Sequence, residues 1–149
     1  GVGPGFTAGK DCHAAVETMR GHTLGRALYH GSPLPNTNIP GLIGGFAGER
    51  VLRAPCDGIF TAVHRIGDTV EEGETIGFVE GQPMKCTISG VLRGVLDDGV
   101  PVKKGMKSGD VDPRCKPEYC TTISDKALAV GGGVVEAVLY LRAKAQGRR

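Results

Sequence analysis

The sequence predicts a mainly β fold: a core sandwich of short strands with pseudo-twofold symmetry, preceded by a β/loop segment and followed by a C-terminal helix. Three observations predict it. The 149 residues include 25 glycines and 9 prolines but no Trp, the composition of a turn-dense chain rather than a helical bundle. Residues 58–79, slid along the chain by 32 positions without a gap, superpose on 90–111. The identities are Gly58/Gly90, Val63/Val95, Gly67/Gly99, Val70/Val102, Gly73/Gly105, Gly77/Gly109 and Val79/Val111, where chance would give about two. Finally, the last stretch of chain carries a helical apolar periodicity that the rest lacks.

In chain order, residues 1–49 form a glycine-rich segment. Its two short apolar runs, Ala14 to Val16 and Ala27 to Tyr29, read as strands, and "GSPLPNTNIPG" reads as a turn. Residues 50–114 hold the two repeats. Each has an apolar strand after a turn glycine (Ile59 to His64, Val91 to Leu96), a Gly-Asp or Asp-Asp-Gly turn, a valine, another glycine turn and a final strand. Neither copy can bury its apolar face alone, so the two must pack on one another. The Ala-Pro-x-x-Gly entry and the Gly-Asp-x-Val-x-x-Gly that follows, in "RAPCDGIFTAVHRIGDTVEEGETIGFVEG", resemble the first half of a biotinyl/lipoyl-type barrel-sandwich hybrid domain. Residues 115–149 are a connector and helix. Ser124 is its N-cap with Asp125 in the first turn, and Val134, Val135, Val138, Leu139 and Leu141 make an apolar face continuing to Ala145. Gly131, Gly132 and Gly133 either break this helix in two or permit very close packing.

That core raises the question of a carrier lysine, because "PMKC" places Lys85 in a Met-Lys pair. In the repeat, however, Lys85 is the counterpart of Arg53 and begins the second copy, while the tip of the connection falls near Gly81, Gln82 and Pro83. A carrier domain puts its lysine on that tip, so no biotin or lipoate is expected; a carrier modified at Lys85 is kept as an alternative. Glu71 and Glu72 correspond to Lys103 and Lys104 in the other copy, and read as two solvated turns rather than a polarised docking surface.

Charge and composition exclude several functions. A net charge of +2 with 5% aromatics argues against nucleic acid. Asp125, Lys126 and Glu136 interrupt the longest apolar candidate, Ile123 to Leu141, which argues against a membrane span. Five irregularly spaced cysteines suggest reduced thiols in a cytoplasmic protein, and the opening "GVGPGFTAGK" reads as a chain cut from something longer, without a secretion signal.

Candidate sites follow from the flanks. "GPGFTAG" is either an anion cradle built on Gly3, Gly5 and Thr7 or a tight loop; it lacks dinucleotide and P-loop spacing. "DCHAAVETMRGHTLGR" gathers Asp11, His13, Glu17, Arg20, His22 and Arg26. If residues 11–18 are a strand, Asp11, His13 and Glu17 share one face, able to hold a general base or an anion, but no known metal-ligand spacing is present and no metal is expected. Cys120, just before the helix, is the reactive-thiol candidate and would serve a small thiol-dependent transferase; Cys56 and Cys86 read as core.

The motifs "GPGFTAGKDCHAAVETMRGHTLGR", "GSPLPNTNIPG", "ERVLRAPCDGIF", "GVLRGVLDDG", "KSGDVDPR" and "TISDKALAVGGGVVEAVL", in that order, resemble the C-terminal half of the YqeB-type accessory family of selenium-dependent molybdenum hydroxylase systems. The resemblance implies a bacterial accessory protein, not an enzyme by itself, that binds a molybdenum hydroxylase or its maturation machinery. Its ligand would be the enzyme, the molybdenum (pterin) cofactor, a selenium species or another anion, and a homo-oligomer is compatible with it. No catalytic residues carry over. The binding candidates are Gly3, Gly5, Thr7, His13, Arg20, His22, Arg26, Arg93, Arg114, Ser124, Asp125 and Lys126, beside the motif positions Pro4, Phe6, Gly25, Gly94, Asp112 and Pro113. Val111 and Ser108 depart slightly from the family pattern.

Overall fold

The computed structural model describes residues 1–37 and 40–147. The chain divides into two compact units, Gly1–Asn38 with Ile123–Arg149 (unit 1) and Ile39–Thr122 (unit 2). The opening segment and the C-terminal helix, far apart in sequence, thus make one unit.

In unit 1, strands β1 (Ala15–Val16) and β2 (Ala27–Leu28) pair antiparallel. Residues 11–18 are not one strand, because the Thr7 amide donates to Asp11 Oδ1 (2.7 Å) in a turn and extended structure begins only at Ala15. Helix α1 (Asp125–Ala145) starts at Ser124, whose Oγ accepts from the Ala127 amide (3.2 Å). It runs unbroken through its glycines. The residues buried from it are Gly133 and Ala137, whereas Val135, Val138 and Leu139 are exposed and Leu141 is half-buried, which shifts the covered face from the one expected from the apolar pattern. The reason is the closeness of the contact. A Cβ at Gly133 would come within 3.0 Å of the Gly25 carbonyl, so only small residues fit where helix backbone meets loop backbone.

Unit 2 contains β3 (Val51–Arg53), β4 (Gly58–Ala62), β5 (Thr69–Val70), β6 (Thr75–Val79), β7 (Gln82–Lys85), β8 (Gly90–Val95), β9 (Pro101–Val102) and β10 (Lys107–Asp112). They form two antiparallel four-stranded sheets, ordered β3-β10-β8-β5 and β7-β6-β4-β9. Shifting by the repeat length exchanges one sheet for the other, so each sheet mixes strands of both copies. Hydrogen bonds outside the strands obey the same exchange. Lys104 N donates to Asp57 Oδ1 (2.8 Å) and Glu72 N to Ser89 Oγ (2.9 Å); Gly105 N donates to Ala54 O and Gly73 N to Cys86 O, both at 2.9 Å. The core lies between the sheets, with Phe60 and Leu92, Val70 and Val102, and Val79 and Val111 buried as equivalent pairs. Burying each of these is worth about 1.5–3 kcal/mol, gains that exist only when both copies are present.

The charged turns lie at the surface. Lys103 pairs with Asp57 (3.1 Å), with 84% and 61% of the side chains exposed, a contact worth under about 1 kcal/mol. The β6–β7 hairpin turns at Glu80 and Gly81, both at positive φ (47° and 75°), the conformation of a two-residue turn that continues strand twist. Lys85 lies in β7 paired with Thr75, as Arg53 pairs with Lys107, and is off the tip. We expect protein made alongside biotin and lipoate ligases to keep the intact mass of the unmodified chain; an added biotinyl or lipoyl mass at Lys85 is the contrary result. No helix of the described residues is long and apolar enough to cross a membrane.

Candidate functional site

Apart from Arg93 and Arg114, every binding candidate falls in unit 1, and a buried carboxylate organises the loops that carry them. Glu17 is 4% exposed. Its Oε1 accepts from Met19 N (2.7 Å) and its Oε2 from Leu34 N (2.8 Å). Burial alone would push its pKa up, but the amides of Leu34, Met19 and Thr18, with the charge of Lys126, outweigh it and hold Glu17 below the usual carboxylate range. The Glu17 backbone closes the same loop, its amide donating to Arg26 O (3.0 Å) and its carbonyl accepting from Gly25 N (2.9 Å). With its carboxylate committed to backbone donors, Glu17 is a brace rather than a general base.

Arg20 makes a second brace. Its Nη1 and Nη2 donate to Asp125 Oδ2 and Oδ1 at 2.6 and 2.9 Å, a bidentate pair tying the 17–26 loop to the first turn of α1. Ser124, Asp125 and Lys126 therefore cap the helix, hold Arg20 and stabilise the Glu17 charge. Three amides of the amino-terminal segment are spent on backbone carbonyls: Gly3 N on Val16 O, Ala8 N on Gly31 O, Gly9 N on Cys12 O. Thr7 Oγ1 meets Ser32 Oγ at 2.8 Å. Gly3 and Gly5 of "GPGFTAG" both take positive φ. His22 and Arg26 are exposed. A groove of about 420 Å³ has Asp11, Cys12 and His13 on its polar wall and Val134, Ala137, Val138 and Leu141 on its apolar wall. Of the binding candidates, His13 alone lines it.

Unit 2 holds the other two arginines on one buried acid. Asp112, with its side chain 1% exposed, accepts from Arg114 Nη2 (2.5 Å), Nε (2.9 Å) and backbone N (3.0 Å), and from Arg93 Nη1 (3.4 Å). Hydrogen bonds from Arg114 hold its pKa below the usual range against the opposing effect of burial. The Arg114 guanidinium also lies 4.5 Å above the Tyr119 ring. Cys120 is half-buried, its thiol pointing to Leu92 O (3.8 Å). Cys86 is buried in the core, which pushes its thiol pKa up to about 11, with the Glu74 charge adding. Among the described residues no cluster of three or more His, Cys, Asp or Glu is arranged to hold a metal ion.

Sequence reasoning puts Glu17 on a face with Asp11 and His13 and Asp112 among the motif positions, but does not see either as the buried acid that organises its surroundings. A buried acid is indistinguishable in sequence from a surface one until its donors, here Leu34 and Arg114, are known to be beside it.

No family model matches the chain. Over 140 residues it is 49% identical to an Escherichia coli K12 protein designated "Uncharacterized protein YqeB", a match covering 94% of this chain and 26% of that one. Two solved structures share part of its backbone arrangement. An aspartoacylase family protein from Mesorhizobium loti has a TM-score of 0.38 at 17% identity, covering 42% of this chain and 22% of that one. A succinylglutamate desuccinylase/aspartoacylase from Rhodobacter sphaeroides has a TM-score of 0.39 at 24% identity, covering 43% and 22%. These two likenesses are too partial to bear on activity. The chain is thus similar to YqeB along nearly its whole length, and it spans about a quarter of that protein.

Proposed function

We propose that the chain is the binding part of an accessory protein that serves a molybdenum hydroxylase or its maturation machinery, acting through protein contacts rather than chemistry of its own. The ordered motifs resembling YqeB-type accessory proteins supply the hydroxylase. The observation supporting a protein ligand is in unit 1, where Glu17 and the Arg20–Asp125 pair brace the loops while Val2, Phe6 and Leu34 stand 51%, 42% and 52% exposed. Apolar side chains presented on a pinned surface are what a protein interface uses. A pterin phosphate or selenium oxyanion fits this unit less well. Among the described residues the groove is lined by the Asp11 carboxylate and by no Arg or Lys, and the charge of Arg20 is met by Asp125. Modification of Lys85 and nucleophilic use of Cys120 are set aside, the first residue lying within a strand and the second directed at a carbonyl.

Calorimetric titration of the chain into a purified molybdenum hydroxylase tests this reading. Binding is expected, with Phe6→Asp raising Kd at least ~10-fold. No binding to either the cofactor-free or the loaded hydroxylase would overturn it, as would tight binding of a pterin phosphate with no affinity for the enzyme.

A further inference from the structure

The repeat of unit 2 brings one pair of equivalent turns together around a cavity. Residues 62–66, at the end of β4, and residues 95–98, at the end of β8, enclose a cleft of about 500 Å³. The same backbone bonds pin both turns. His64 N donates to Ile76 O (3.2 Å) and Leu96 N to Ser108 O (3.0 Å); Gly67 N donates to Leu92 O (2.8 Å) and Gly99 N to Phe60 O (2.9 Å). Donors and acceptors in each pair are related by the 32-residue offset, so the cleft lies between repeat-equivalent walls.

On those walls the offset sets Arg65 against Asp97, opposite charges at equivalent positions. The polar side chains around them are already committed. Asp98 Oδ1 accepts from Ala62 N (2.5 Å) and Asp68 Oδ2 from Arg65 N (2.8 Å). His64 Nδ1 lies 3.5 Å from Asp68 Oδ2, and its Nε2 lies 3.1 Å from Glu74 Oε1. Among the described residues the Arg65 and Asp97 side chains make no hydrogen bond or ion pair, with each other or with any neighbour. Two charges on pinned turns, left apart across one cavity, are free for a ligand.

Their signs select its class. A ligand of single charge would satisfy one side chain and be repelled by the other, whereas a ligand carrying both an acid and an amine satisfies the two together. The rest of the lining suits a short carbon chain: Ile66 is 53% exposed, and Val95 and Leu96 are half-buried. The volume is that of a small-molecule site. We propose that this cleft binds a small aliphatic amino acid, its carboxylate on the Arg65 guanidinium and its ammonium on the Asp97 carboxylate.

Titration of the chain with L-leucine, 4-aminobutyrate and 6-aminohexanoate, followed through its amide resonances, tests this. At least one should shift the amides of residues 62–66 and 95–98 with a Kd below about 1 mM. Hexanoate and hexylammonium, each lacking one charge, should bind at least ~10-fold more weakly than the best of the three. Arg65→Gln and Asp97→Asn should each raise Kd at least ~10-fold with the fold retained, since neither side chain holds another part of the chain. In the double variant Arg65→Asp/Asp97→Arg the achiral 6-aminohexanoate can turn end for end between equivalent positions, so its affinity should return to within ~3-fold of wild type. No shift with any of the three up to about 20 mM, hexanoate or hexylammonium bound as well as the amino acids, or single variants without effect would overturn the proposal. So would a double variant no better than the single ones.

Discussion

Gly133→Val is expected to cost unit 1 about 3 kcal/mol, whereas the same change at Gly131 is expected to be neutral or slightly stabilising. On propensity alone the two substitutions are equivalent, since valine is a somewhat better helix residue than glycine. The surroundings separate them. At Gly131 a Cβ meets nothing within 4 Å, while at Gly133 it falls within 3.0 Å of the Gly25 carbonyl and touches Val16. The obstacle is backbone, which cannot rotate away, so α1 must lift from the loop. Lifting it uncovers Ala137 and strains the Arg20–Asp125 and Ser124 contacts at the helix start. Because the chain has two units and need not unfold in one step, amide hydrogen exchange of α1 is the appropriate measurement. Gly133→Val should speed exchange along the helix, and Gly131→Val should not. Equal effects at both positions would refute the close contact.

The same helix shows what the sequence could and could not reveal. Its existence, N-cap and length were legible from Ser124, Asp125 and the periodic valines, but the buried face was not. Hydrophobic periodicity assumes that the most apolar stripe is the one covered. Where two backbones touch, the covered stripe is instead the smallest, Gly133 and Ala137, and the valines and leucines are left for another surface. The repeat was legible for the opposite reason. Glycine turns and inward valines recur at a fixed offset because many hydrogen bonds of one copy are repeated, with roles exchanged, in the other. The hairpin tip was placed slightly late, near Gly81 to Pro83, because Glu80 takes the positive φ that sequence reasoning reserves for glycine. Among the site residues, the segment carrying His13, Arg20, His22 and Arg26 was singled out as a group. That its arginine is spent on Asp125, more than a hundred residues away in sequence, depends on a tertiary contact that no local spacing encodes.

Asp112→Ala is expected to cost unit 2 about 3 kcal/mol, the lower end of what removing one partner from a buried ion pair costs. The acid is 1% exposed and accepts from two guanidiniums, but Arg93 and Arg114 retain 24% and 39% of their side-chain surface and can turn partly to water once it is gone. Asp112→Asn keeps the shape and separates packing from charge, through its pH dependence. Hydrogen bonding from Arg114 lowers the folded-state pKa of Asp112, so between the unfolded value of about 3.9 and the lower folded value the unfolded chain binds more protons. Stability from Asp112 is therefore complete above that window and is lost as the pH falls through it. The wild type should lose protection of β8 and β10 amides steeply on acidification below about pH 4, and Asp112→Asn, weaker at neutral pH, should show a shallower acid dependence. Glu17 carries the same sign in unit 1, so exchange must be read strand by strand rather than from a global signal. Identical acid slopes in β8 and β10 of wild type and Asp112→Asn would mean that the titrating group coupled to this sheet is not Asp112.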